Sequence, residues 1–166
     1  MAEEFASFVQ TTSAQLYRTA LLLTGDHHLA EDLTQSTYAK VFAGWKKVSR
    51  AGNPVGYTRT ILMNTFLSHR RLRRTGETPG RAADLTETLA REGASDADPS
   101  TRVDLLAALA QLSPTDRAVL VARYWEDRSV TETAHDLGLT ETAVRTRAKR
   151  AIDRLRPLVR DLEGIL

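Results

Sequence analysis

Thr142, Arg145, Thr146, Lys149 and Arg150 recur at three- and four-residue intervals, the spacing that gathers side chains on one face of a helix. Two guanidinium groups, an ammonium and two hydroxyls in that array suit contact with a nucleic acid. The cations meet phosphate oxygens, and the hydroxyls and arginine forks reach base edges in a major groove. A second set lies earlier in the chain: Asn53, Tyr57, Arg59, Asn64, Arg70 and Arg71. Cations for phosphates, amides for base edges and an aromatic ring among them are what an unpaired strand requires. A third set, Glu31, Asp32 and Gln35, is acidic and polar and lies outside an apolar stripe. For the two basic sets, a solvated helix face has the same composition, so placement must decide.

The elements that must position these groups are marked locally. Ser129 can cap a helix and Glu132 completes a capping box with it, while Val130, Thr133, Ala134 and Leu137 share one face. Gly138 then ends the helix where a positive φ is needed. Thr140 caps the next, whose Val144, Ala148, Ala151 and Leu155 repeat at four, three and four residues. This is a helix-turn-helix over residues 129–155, and an ordinary helical hairpin is its plain alternative.

Upstream, Phe5, Phe8, Thr12, Leu16, Ala20 and Leu23 predict an amphipathic helix ended by Gly25. Asp26 caps a second, with Ala30, Leu33, Thr37, Val41 and Trp45 inward. After a loop over about 48–52, Asn53 as N-cap and Pro54 at the first position start a helix reaching about Arg74, with Val55, Thr58, Leu62, Thr65, His69 and Leu72 inward. Residues 75–99 are rich in Gly, Pro, Ala and acids and read as a linker, with a brief helix over 85–90. A helix over 100–111 then places Val103, Leu106, Ala107 and Ala110 inward. Ser113, Pro114 and Asp116 start another, whose Val119, Leu120, Val121 and Tyr124 pack on the helix-turn-helix while Trp125 closes that core. Pro157 starts a short tail helix. The fold class is all-α: two small helical domains, 1–74 and 100–166, joined by a flexible acidic linker.

Several functions are excluded or disfavoured. There are no cysteines, so no thiolate site or disulfide exists, and the formal net charge of +2 makes local clustering decisive. His27 and His28 with Glu31 and Asp32 have a metal-like spacing, yet no downstream ligand pair completes it. No glycine-rich phosphate loop or paired acid/base set suggests an enzyme, and no cofactor is expected. Glu3 and Glu4 stand where a signal peptide would be basic, and no apolar run reaches membrane-spanning length, so a soluble cytoplasmic protein without membrane insertion is expected.

AEDLTQSTYAKVFAGW, GYTRTILMNTFLSHRR and LSPTDRAVLVARYWEDRSVTETAHDLGLTETAVRTRAKRAIDRLRP, in that order, resemble the successive regions of the extracytoplasmic-function sigma factors of bacterial RNA polymerase. The LLLTGDHHLAEDL opening resembles the short actinobacterial branch. The resemblance implies a promoter-specificity subunit that binds core RNA polymerase and promoter DNA. Glu31, Asp32 and Gln35 would face the polymerase clamp, and residues 112–125 the flap. Asn53, Tyr57, Arg59, Asn64, Arg70 and Arg71 would meet the melted minus-10 element. Thr142, Arg145, Thr146, Lys149 and Arg150 would read the minus-35 duplex. It also implies an anti-sigma factor as a further partner. Ser36 and Ser68 stand where many members carry acids. A stand-alone helix-turn-helix regulator is the alternative, and it would leave the arginine-rich helix after Asn53 without a task.

Overall fold

The computed structural model describes residues 1–72 and 105–158, the side chains of 70–72 excepted. The first domain has four helices. Helix α1, Ala2–Thr24, ends at Gly25, which adopts φ 72° and donates its N–H to Leu21 O. Helix α2, His27–Ala43, starts where the Asp26 carboxylate accepts the N–H groups of His28 and Leu29 at 2.8 and 3.0 Å. Ala30, Leu33, Thr37 and Val41 form its buried stripe, as their spacing predicts.

The same helix was expected to run on through Trp45, and it does not. Gly44 ends α2, and Trp45 opens a short helix α3, Trp45–Ser49. The break swings the indole against the Phe5 and Phe8 rings, at centroid distances of 5.5 and 5.2 Å. The expected loop therefore shrinks to residues 50–53. Helix α4 then spans Pro54–Leu72, with Asn53 Oδ1 accepting the Gly56 N–H at 2.9 Å. A Cβ on Gly56 would fall 2.7 Å from Asn53 Nδ2, so a larger residue there would have to push the capping amide aside. Thr58, Leu62 and Thr65 are buried as expected, whereas Val55, in the first turn, is exposed.

The second domain begins with a helical stretch over 105–109. Leu106 is buried there, but Ala107 and Ala110 face solvent while Ala108 and Leu109 are inward, so the buried face is rotated from the expected one. Helix α5, Pro114–Leu120, is capped by Ser113 and continues as a π-helical turn, Val121–Trp125. Val119, Leu120 and Val121 are buried. Trp125 does not close the core: the turn, sealed by Glu126 N–H to Val121 O, carries the indole off the helical register to 48% exposure. Helices α6, Val130–Leu137, and α7, Glu141–Leu155, make the expected helix-turn-helix. Both halves of the capping box are present, and Gly138 sits at φ 67°.

No strand occurs among the described residues, and the all-α class with two domains holds. The expected linker 75–99, its helix over 85–90, the residues 100–104 with Val103, and the tail beyond Leu158 lie outside the described residues. The two domains pack on one another. Helix α4 meets α5 and α6, and α1 meets α5 and the π-helical turn. Leu16, Leu21 and Met63 consequently belong to the same buried cluster as Val119, Leu137 and Val144. A separate small cluster of Val41, Trp45 and Val48 packs with Phe5, Phe8, Tyr57 and Ile61.

Candidate nucleic-acid interface

Helix α7 divides cleanly into two faces. Val144, Ala148, Ala151 and Leu155 are buried, and Thr142, Arg145, Thr146, Lys149 and Arg150 are all exposed. Thr140 Oγ1 accepts the Ala143 N–H at 3.1 Å, so the helix starts on a defined register. Arg145 lies 3.8 Å from Glu141, one turn back, and keeps 64% of its side chain in solvent. Arg150 is similarly open, with Nη2 3.6 Å from Asp116. Arg147, between them, is held more firmly by Asp116 at 2.7 Å. The structure thus brings together all five residues of this set on an open helix.

Helix α4 treats its set differently. At about 100° per residue, Tyr57, Asn64 and Ser68 fall along one line, and Arg59 falls nearly opposite. Asn64 and Ser68 are exposed, and Tyr57 is half-buried against the aromatic cluster. Arg59 instead turns to the second domain, where its Nε lies 2.6 Å from Glu126 Oε2. Thr60 also reaches the second domain, donating to Asp136 Oδ1 at 3.1 Å, and Met63, near Arg59 on the helix, is 1% exposed. Asn53 is spent partly on capping. Arg70 and Arg71 lie in the last turn of α4, and their side chains are outside the described residues. So α4 has two buried faces and one open one, and Arg59 is not on the open one.

On α2, Glu31, Asp32 and Gln35 are exposed on the side away from the core. His27 and His28 stack with ring centroids 4.0 Å apart at the start of that helix. Among the described residues, no three His, Cys, Asp or Glu side chains converge as metal ligands would. No described helix is long and apolar enough to cross a membrane.

The chain matches the sigma-70 region 2 family over residues 8–75 and the sigma-70 region 4 family over residues 108–157. It is 33% identical to the RNA polymerase sigma-E factor of Streptomyces coelicolor, with 97% of this chain and 90% of the relative covered. It belongs to the extracytoplasmic-function sigma factors. The ECF RNA polymerase sigma factor SigL of Mycobacterium tuberculosis is 31% identical, over 90% of this chain and 85% of the relative. In fold, this sigma factor is similar to RpoE of Bartonella quintana, solved in complex with the anti-sigma factor NepR: TM-score 0.71, 24% identity, 94% of this chain and 96% of that one covered. CnrH, solved in complex with the cytosolic domain of CnrY, gives a TM-score of 0.63 at 22% identity, covering 99% of this chain and 90% of that one. With both regions present in series, the stand-alone regulator gives way to the sigma-factor reading, and the helix after Asn53 has its place in region 2.

Sequence reasoning missed the groups that join the two regions of this sigma factor. The Glu126 side chain is only 4% exposed; one oxygen takes Arg59 and the other accepts the Thr19 hydroxyl. Asp136, equally buried, accepts Thr60 on one oxygen and Arg128 Nε on the other, at 3.0 Å. Arg117 Nε donates to Leu22 O, and its guanidinium lies over Gly25. Arg128 also pairs with Glu132 at 2.7 Å. The Ser129 backbone N–H first, then its hydroxyl and Arg128, hold the Glu132 carboxyl below the usual carboxylate range. On α2, burial raises the Tyr38 phenol, against a hydrogen bond with Thr12 that lowers it. The one available signal for the join was an excess of polar residues, Thr19, Thr60 and Asp136, on faces otherwise apolar.

Proposed function

We propose that this sigma factor reads the minus-35 duplex through Thr142, Arg145, Thr146, Lys149 and Arg150, and the melted minus-10 strand through the open face of α4. The observation that carries the proposal is α7: Val144, Ala148, Ala151 and Leu155 are buried on one face, while Thr142, Arg145, Thr146, Lys149 and Arg150 are all exposed. Arginines on such a helix fix register by phosphate contact and discriminate bases by bidentate hydrogen bonds. On α4, Asn64 reads an unpaired base edge and Tyr57 offers a ring, with Asn53, Arg70 and Arg71 flanking them. Arg59 belongs to this set only after it leaves Glu126.

Core polymerase is held at two points. Glu31, Asp32 and Gln35 meet the clamp, and residues 112–125, with the exposed Trp125 at their end, meet the flap. The domains run over 1–74 and 100–166, with 75–99 as the tether. The role is binding without catalysis, carried out in the cytoplasm where polymerase and chromosome meet. Unstacking a base costs about a few kcal/mol, so capture of the minus-10 strand follows only when polymerase contacts offset that cost. An anti-sigma factor is the regulator that fits a chain of this group.

The test is reconstitution with bacterial core polymerase followed by run-off transcription from genomic fragments. Promoter-dependent transcripts that vanish with Arg145→Ala, while the variant still co-elutes with core, support the assignment of α7. Loss of co-elution instead would place α7 at the polymerase and not at the DNA.

A further inference from the structure

We propose that Asp116, a residue outside the recognition helix, sets how sharply this sigma factor discriminates its minus-35 sequence. It holds the charge of Arg147 and Arg150 back from the phosphate contact that any duplex offers, a role that rests on the reading of α7 as the minus-35 helix. Asp116 lies in the first turn of α5, where the Ser113 hydroxyl accepts its N–H at 3.2 Å. Its side chain, 10% exposed, does not stay with its own helix. It reaches across to α7, where the single oxygen Oδ1 takes Arg147 Nη1 at 2.7 Å and stands 3.6 Å from Arg150 Nη2. A helix dipole favours an acid in the first turn without any side-chain partner. It therefore accounts for the carboxylate but not for two guanidinium groups on one of its oxygens.

The two arginines are held unequally. Arg147 makes a charge-assisted hydrogen bond and keeps 32% of its side chain in solvent, whereas Arg150 lies beyond hydrogen-bond distance and keeps 61%. Arg145 pairs only at 3.8 Å with Glu141, itself 49% exposed, a contact that salt and DNA displace easily. The carboxylate of Asp116 is screened far less, so its pull on Arg147 and Arg150 persists. Phosphate attraction is the same on every sequence, and base edges are not. A cation left free therefore strengthens binding everywhere, while discrimination is the ratio of two affinities. On the right site, base contacts fix the register, and few phosphates lie within reach of a released arginine. On a wrong sequence the helix shifts until each cation finds one. A carboxylate at this place lowers binding to the wrong sequence more than to the right one, and it leaves Arg145, Thr146 and Lys149 to the bases.

The test is fluorescence anisotropy of the full-length chain on two labelled duplexes over a salt series. One carries the minus-35 element mapped from the run-off transcripts, and the other carries that element scrambled. Asp116→Asn keeps the shape and removes the charge. It should raise the affinity for the scrambled duplex roughly tenfold, the worth of one added charge-assisted contact. The minus-35 duplex should gain only about threefold, so the preference falls about threefold, and the salt dependence on the scrambled duplex should steepen by about one power of salt concentration. A preference left unchanged overturns this role. So does any loss of affinity for the minus-35 duplex, which would make Asp116 a support for the arginines and not a restraint on them. Arg147→Gln, which leaves Asp116 to Arg150 alone, carries the test should Asp116→Asn fail to fold. It should weaken the scrambled duplex and leave the preference at or above that of the parent chain; a lowered preference overturns the role as well. The reading of α7 fails separately: if Arg145→Ala does not reduce the preference for the minus-35 duplex, α7 is not the reader, whatever Asp116→Asn does.

Discussion

Helices α4 and α7 carry similar side chains, arginines among small polar groups, yet α7 buries one face and α4 buries two. The α7 stripe of Val144, Ala148, Ala151 and Leu155 packs mainly on α5 and α6, and Arg145, Lys149 and Arg150 opposite it stay exposed. On α4, Thr58, Leu62, Met63 and Thr65 are buried, and Arg59 and Thr60 pair with side chains of the second domain. A charged residue on a helix is therefore not a binding residue by composition. What lies across from it decides.

The largest effect expected is on packing. Leu155→Ala and Met63→Ala should each cost about 2–5 kcal/mol in urea unfolding, as deletions from a filled core do. The comparison sharpens if, in a Trp125→Phe background that leaves Trp45 as the one fluorophore, Met63→Ala also splits unfolding into two transitions when followed by tryptophan fluorescence and by far-ultraviolet circular dichroism, while Leu155→Ala keeps one. Two transitions already in the parent chain would break it. Next comes recognition. Arg145→Ala should weaken minus-35 duplex binding by about 1–3 kcal/mol and lower its salt dependence. Asn64→Ala should leave the duplex alone and impair transcription from a pre-melted minus-10 template; equal damage on both templates would show that the two helices do not divide the promoter between them.

Smaller still is the cap of the helix-turn-helix. Ser129→Ala should lower stability by about 1 kcal/mol in thermal unfolding, with little effect on α4. The smallest effect follows from Glu132. Its folded value is depressed, so its contribution is complete above the ordinary carboxylate range and is lost as pH falls through the folded value. Acid titration of the parent and of Glu132→Gln should therefore give curves that differ at neutral pH and converge in acid. Curves that stay parallel would mean that the Ser129 and Arg128 contacts do not persist in solution.

What could be read from the sequence was whatever neighbours in the chain decide. Ser129, Glu132, Gly138 and Thr140 act within one or two turns, so the helix-turn-helix and its exposed face were legible to the residue. Asp26, Asn53 and Pro54 marked their helix starts for the same reason. The misses all depend on distant partners or on a change of helical register. Trp45 leaves α2 because Phe5 and Phe8 offer it a site, and Trp125 is turned out by a π-helical turn that no periodicity announces. Met63, Asp116 and Arg117 are buried by elements far off in the chain, and Arg59 was assigned a face without knowledge of Glu126.

The contact of Arg117 with the end of α1 bears on how such chains can be recombined. Gly25 holds φ 72°, and a Cβ there would stand 3.1 Å from Arg117 Nη2, while the same arginine takes the Leu22 carbonyl. The first domain thus carries an imprint of the second at a position that touches no promoter base in the roles assigned above. A chimera that exchanges one domain for that of a relative inherits half of this fit. Its promoter preference would follow the grafted domain, but its folding would follow how well the foreign half matches Gly25, Thr19 and Arg59.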